Sequence, residues 1–322
     1  MSSNNAHTSV ASLRKHAGTQ RSTSNFQRNL RKYAWFYMLI TPGMLYFILF
    51  HYVPMWGIVL AFKDYSPFLG VAKSEWVGLA HFKDLFLHDT FGMLMRNSLL
   101  LSAMNMILYF PFVIILALIL NEVRLLVYKR IVQTIVYMPH FISWVIIAAI
   151  TLMFFGPSGV INHFLESSGG KEVPFLVSNE WFRPIIVFQS IWKDAGWGTI
   201  IFLAALAGVN PELYEASKVD GANRWHRIWN ITLPSLKSTI IILLLIRLGN
   251  ALDSDFLQVF LMANSLNADV SDVFDLYVYR KGLIGGEFSF GVAVGLFKSV
   301  IGLILVLFAN WMAKLAGEDG IF

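Results

Sequence analysis

Apolar residues run along the chain in blocks about twenty long, separated by polar segments. Alternation with a period of two is absent, which argues against a β-barrel. A membrane-spanning helix needs about 20 mostly apolar residues, and six segments meet that requirement. Ala34–Phe62, Ser98–Leu120 and Ile131–Phe155 carry no charge. Pro184–Gly208 contains Lys193 and Asp194, Ser238–Ala263 contains Arg247, Asp253 and Asp255, and Phe288–Ala313 contains Lys298. The pattern predicts an all-α membrane protein with six transmembrane helices. Its domains are a basic cytoplasmic tail over 1–33, a six-span domain over 34–316 and a short cytoplasmic C-terminus over 317–322. The segments Lys63–Asn97, Gly156–Arg183 and Asn264–Glu287 read as folded caps on the outer side.

Composition supports lipid as the solvent. Of the 322 residues 56% are hydrophobic and 14% charged, and the mean hydropathy is +0.60. Soluble domains carry roughly 25% charged residues, so a soluble enzyme, a disordered hub and a nucleic-acid binder are excluded. No cysteine is present, which excludes disulfides, cysteine-ligated zinc, iron–sulfur clusters and thiol catalysis. No nucleotide-binding GxxxxGK[ST], HExxH or GxSxG stretch occurs, and no catalytic or metal-binding set emerges.

The net charge of +5 is unevenly placed. Arg14, Lys15, Arg21, Arg28, Arg31 and Lys32 crowd the first 33 residues without one acid. Such a tail before a first span is a topology signal, and tail and span are both too long for a cleaved signal peptide. With the tail inside, the cytoplasmic segments hold 14 basic residues, Arg124 among them, against 8 on the opposite side. The predicted orientation is N-in, C-in, in a bacterial cytoplasmic (inner) membrane.

Ionisable groups at the depth of a bilayer core are costly and become functional candidates. Lys193, Asp194 and Trp197 lie near the middle of the fourth span, Asn250, Asp253 and Asp255 near the middle of the fifth, and Lys298 in the sixth. Together they supply hydrogen-bonding groups and an aromatic face, and Lys193, Arg247 and Lys298 could meet a carboxylate on a ligand. The alternative for each residue is ion pairing between helices, for example Lys193 or Lys298 with Asp253 or Asp255. His140, after Pro139, reads as a hydrogen-bonded histidine rather than a metal ligand.

The segment Asn210–Pro234 carries the most specific pattern. Asn210 suits an N-cap, Pro211 the first helical position and Glu212 the positive helix end. A helix from Pro211 should stop near Gly221. A second short amphipathic helix, with Arg224, Trp225, Ile228 and Ile231, should then lead to Pro234. Glu215-Ala216-Ser217, three residues, Gly221, nine residues, then Ile231-x-Leu233-Pro234 resembles the EAA signature of binding-protein-dependent ABC importer permeases. The departure is Ser217, where Ala is usual. Tyr33, Thr41-Pro42, Asn310, Phe322 and the segments Gly249-Asn250, Phe256–Phe260, Tyr279–Leu283 and Gly295–Lys298 also resemble type I sugar permeases. The likeness is to the branch importing oligosaccharides cut from polysaccharides, such as alginate or pectin fragments, and it covers nearly the whole chain after the tail. For such a cargo the polar groups of the last three spans would meet sugar hydroxyls, Trp197 the face of a ring, and Lys193, Arg247 and Lys298 the carboxylate of an acidic oligosaccharide.

That resemblance implies a type I ABC importer permease fold with a cytoplasmic coupling-helix loop over 210–234. Glu215, Ala216, Ser217, Gly221, Ile231, Leu233 and Pro234 would couple it to an ATPase. The implied partners are a second homologous permease subunit, two ATPase subunits, an extracytoplasmic solute-binding protein and the lipid bilayer. No cofactor is expected on this chain, ATP and Mg²⁺ belonging to the ATPase. Competing readings are an ion-coupled secondary transporter, an ABC permease for another small solute, and a membrane enzyme using Asp253 and Asp255. The last is disfavoured because residues two apart on a helix face different ways.

Overall fold

The computed structural model describes residues 32–123, 125–315, 317 and 320. Of the basic tail, Arg14, Lys15, Arg21, Arg28 and Arg31 lie outside the described residues, as do Arg124 and Phe322. The chain divides after Val59 into two units. The first holds the Ala34–Phe47 helix, which contains Pro42 and continues through a wide π-type turn, Ile48–Tyr52. Proline removes one helical donor, and here the Thr41 hydroxyl donates to the Tyr37 carbonyl at 2.6 Å, a back-bond that accompanies helix bends.

The second unit is built almost wholly of helices because long apolar blocks must satisfy their backbone groups internally. Among the described residues four helices are long and apolar enough to cross a membrane: Ala34–Phe62, Phe91–Glu122, Trp144–Ser167 and Phe288–Leu315. A fifth arises if Arg224–Ser235 and Lys237–Gly249, bent by 56°, count as one span. The predicted fourth span lies inside one continuous helix, Asn179–Ala207, of 29 residues, whose polar side chains lower its hydropathy. Further wide turns interrupt helices at Asn105–Tyr109, Ile228–Thr232 and Val278–Ile284.

Two predicted spans are not continuous helices. The stretch expected over Ile131–Phe155 is Leu126–Tyr137, a tight turn Met138–Phe141 containing Pro139, and Trp144–Phe155, which Ser143 caps. The stretch expected over Ser238–Ala263 is Lys237–Gly249, an irregular segment over 250–255, and Phe256–Met262. Mean hydropathy registers apolar length, and both breaks sit inside apolar surroundings.

The segments expected on the outer side are folded. Lys63–Asp64 pairs antiparallel with Glu75–Trp76, and buried Asn162 bridges the Gly156 and Val173 carbonyls at 3.0 Å each. Asn264–Glu287, expected as a folded cap, is packed into the interior. It buries Val270, Val273, Phe274 and Leu276, with Phe274 packed on Phe91 and Phe297 at 6.2 and 5.8 Å between ring centres. Small residues allow the closest helix approach: a Cβ on Gly302 would strike the Gly249 carbonyl oxygen, whereas one on Gly295 would meet nothing.

Candidate functional site

The second break and Trp144, the residue that follows the first, line one cavity of about 480 Å³. Its wall takes Ser98, Asn105 and Tyr109 from the second apolar block, Trp144 from the helix after the first break, Ser190 and Asp194 from the Asn179–Ala207 helix, and Arg247, Asn250, Asp253 and Asp255 at the second break. Of the seven pathway residues expected from sequence, Asp194, Asn250, Asp253 and Asp255 therefore share one chamber. Lys193, Trp197 and Lys298 do not line it.

Those three act behind the wall. Buried Lys193 donates to the carbonyls of His140 and Ile142, both at 2.7 Å, and lies 5.3 Å from the Trp144 ring centre. Its ammonium satisfies carbonyls that the Pro139 break takes out of helical bonding, so it holds the break in shape. Trp197 stacks on His140, with centres 4.5 Å apart and planes 5° from parallel. His140 in turn meets Asp194 through Nδ1 at 2.8 Å. The histidine is hydrogen-bonded, as its position after Pro139 suggested.

Lys298, also buried, pairs with Asp253 at 2.6 Å and with Asp275. The pairing foreseen as the alternative for Lys298 is present, and its second partner was missed. Asp275 also accepts from the Ser254 backbone N–H at 2.8 Å and its hydroxyl at 3.0 Å. One carboxylate thus organises the irregular segment over 250–255 from a chain position more than twenty residues away. The signal was a lone acid inside the apolar run Val273-Phe274-Asp275-Leu276, which a solvent-facing cap has no reason to contain.

Around the break, Asp255 accepts from Trp144 Nε1 at 2.6 Å, and Asn250 donates to the Ile246 carbonyl at 3.1 Å. Asp253 and Asp255 are not on a helix, so the geometric objection to their acting together fails. They are nevertheless engaged by different donors, Lys298 and Trp144. Arg247 lies over Tyr109 and Phe110, 4.5 and 5.8 Å from their ring centres, and Tyr109 donates its hydroxyl to the Asp194 carbonyl at 3.1 Å. Gln258 donates to the Ile186 carbonyl at 2.8 Å and to Gln189 at 3.1 Å. The result is a chamber whose polar groups are held by specific partners, as groups removed from water must be.

At the Asn210–Pro234 segment the helix is Pro211–Val219, with Asn210 accepting from the Glu212 N–H at 3.0 Å. Gly221 has φ +75°, and a Cβ there would meet no atom; its glycine is required by backbone conformation rather than by space. Asn223 caps Arg224–Arg227 by accepting from the His226 N–H at 2.9 Å. The second helix expected from sequence then opens into the wide turn Ile228–Thr232, followed by the short turn Leu233–Ser235. Glu215, Ala216, Gly221 and Pro234 are exposed, while Ser217, Ile231 and Leu233 are half-buried. Ser217 satisfies its hydroxyl on the Tyr214 carbonyl at 2.8 Å. Tyr214 and Thr232 join their hydroxyls at 3.1 Å, tying the first helix to the start of the bent pair. Val219, Trp225 and Trp229 are 88%, 70% and 63% exposed, an apolar surface on an otherwise polar loop.

Residues 110–316 match the family model described as binding-protein-dependent transport system inner membrane component. Protein LplB of Bacillus subtilis (strain 168) is 54% identical over 294 residues, covering 91% of this chain and 92% of LplB. The polygalacturonan/rhamnogalacturonan transport system permease protein YteP of the same organism is 51% identical over 287 residues, 89% of each chain. Among solved structures, a chain of a bacterial alginate ABC transporter, crystallised with an alginate pentasaccharide-bound periplasmic protein, superposes with a TM-score of 0.83 at 40% identity. It covers 92% of this chain and 100% of that one.

Proposed function

The chain belongs to the family of binding-protein-dependent transport system inner membrane components, and on that premise we propose that it forms half of the translocation pore of an ATP-driven importer for acidic oligosaccharides. As a sugar ABC permease it is a multi-pass membrane protein and not an enzyme. The observation that carries the proposal is the cavity lined by the helix break over 250–255. Irregular backbone at membrane depth is tolerated where it lines a cavity inside protein, and this one presents carboxylates, amides, hydroxyls and aromatic rings together. A uronate-containing substrate is supported by the name of the polygalacturonan permease and by the pentasaccharide of the alginate transporter.

In this reading six helices cross the membrane with both termini in the cytoplasm, Asn179–Ala207 being the fourth and Lys237–Gly249, continued past the irregular segment by Phe256–Met262, the fifth. The exposed face of Pro211–Val219, with Glu215 and Ala216, docks on an ATPase subunit that carries ATP and Mg²⁺. Motion of that helix passes through the Tyr214–Thr232 contact and the 56° bend into Lys237–Gly249, whose far end borders the cavity. Rigid-body rocking then exposes the cavity to alternate sides. A second permease subunit, two ATPases and a solute-binding protein complete the assembly.

The test is uptake of a radiolabelled oligogalacturonide into proteoliposomes holding the complete complex. Uptake is expected to require ATP on the ATPase side and binding protein on the other. Uptake that survives without ATP and collapses with an ionophore would overturn the proposal in favour of ion coupling.

A further inference from the structure

Three cations belong to the predicted spans, and the structure gives them unequal freedom. Lys193 is spent on the His140 and Ile142 carbonyls, and Lys298 on Asp253 and Asp275. Arg247 borders the cavity, and among the described residues no carboxylate lies within ion-pairing distance of it. The acids around the same cavity are the reverse case. Asp194 meets His140, Asp253 meets Lys298 and Asp255 meets Trp144. Every carboxylate on the wall has a donor, and the one guanidinium there meets two rings and the Tyr109 hydroxyl but no carboxylate.

That asymmetry has a chemical meaning. Arg247 lies over Tyr109 and Phe110, and a guanidinium lying over a ring keeps its in-plane N–H groups available for a planar, bidentate anion. A cation left without a counter-charge inside a bilayer is unfavourable, and an incoming anion relieves that cost. The cavity volume, about 480 Å³, lies in the range of roughly 300–1,000 Å³ usual for ligand sites. We propose that Arg247 is the specificity residue that receives a sugar carboxylate during passage, with Tyr109 and Phe110 as the platform that holds it. This rests on the oligosaccharide-importer reading above and names the chemistry by which that site tells an acidic sugar from a neutral one.

The experiment compares two probes of equal length, trigalacturonate and its fully methyl-esterified form, in proteoliposomes containing the complete transporter and its binding protein. Binding-protein affinity for each probe is measured separately and divided out. Arg247→Gln should lower the acid-to-ester uptake ratio about tenfold, the loss of one charge-assisted contact. Arg247→Lys, which keeps the charge but not the fork, should lower it about threefold. It also serves as the readout if the glutamine variant fails to assemble. An equal loss for both probes would overturn the proposal by assigning Arg247 a packing role on Tyr109, and an unchanged ratio would overturn it outright. If the wild-type complex carries the ester as well as the acid, or neither, the acidic-substrate reading fails and takes this inference with it. Normal wild-type discrimination with an indifferent Arg247→Gln defeats the inference alone.

Discussion

The cavity and the Asn210–Pro234 loop solve opposite problems with similar residues. Around the cavity, partners come from distant parts of the chain: Lys298 reaches Asp275 and Asp253, Trp144 reaches Asp255, and His140 reaches Asp194. In the loop most bonds are local, from Asn210 to Glu212, Asn223 to His226 and Ser217 to Tyr214, and its large apolar side chains stand uncovered. The first region is closed upon itself except at Arg247. The second is finished in its backbone but not in its surface, which is the condition of an element awaiting a partner. Substitutions in the two regions should therefore fail differently, the interior through stability and the loop through coupling.

The severest test falls on Asp275. Asp275→Ala removes one counter-ion of buried Lys298 and leaves the Ser254 N–H without its acceptor. A loss of about 3 kcal/mol is expected, seen as a lowered melting temperature in detergent together with lost uptake. Next comes Gly302→Ala, which drives a methyl group into the Gly249 carbonyl and should cost about 2 kcal/mol, whereas Gly295→Ala, with open space around it, should leave melting unchanged. Gly221→Ala meets no atom but must hold a positive φ, at about 1 kcal/mol. Uptake should drop while the remainder melts normally. Smallest in stability is Glu215→Gln, an exposed change expected within about 0.5 kcal/mol, yet copurification of the ATPase should fail. A Glu215→Gln protein that melts early, or an Asp275→Ala protein that melts normally without transporting, would dissolve the distinction between the regions.

The same contrast decides what the sequence could tell. The cap, the glycine turn and the helix between them were legible because each depends on residues within a few positions. The first, second and last apolar blocks were legible because length and lack of charge suffice. The breaks were not, since a proline in one and a short polar stretch in the other do not lower mean hydropathy enough to divide a span. Lys193 was placed in the pathway on charge and depth alone. Its distance to two backbone carbonyls on another segment has no one-dimensional signature. Asp275 went unremarked inside a segment expected as a folded cap, although its apolar neighbours marked it as interior.

The wide turn at Asn105–Tyr109 has a genetic consequence. Such a turn holds one residue more than an α-turn, and each helical residue advances by about 100°. Losing one codon between Asn105 and Tyr109 would let the helix close up regularly. Phe110 and the helix beyond it would then keep their aim, because the wide turn had spread the extra residue's rotation over its own five positions. The same loss one turn later, in regular helix, would swing everything beyond it by about 100°. The lining of this chamber is thus tolerant of a changed length at one point of the helix and intolerant of it at the next.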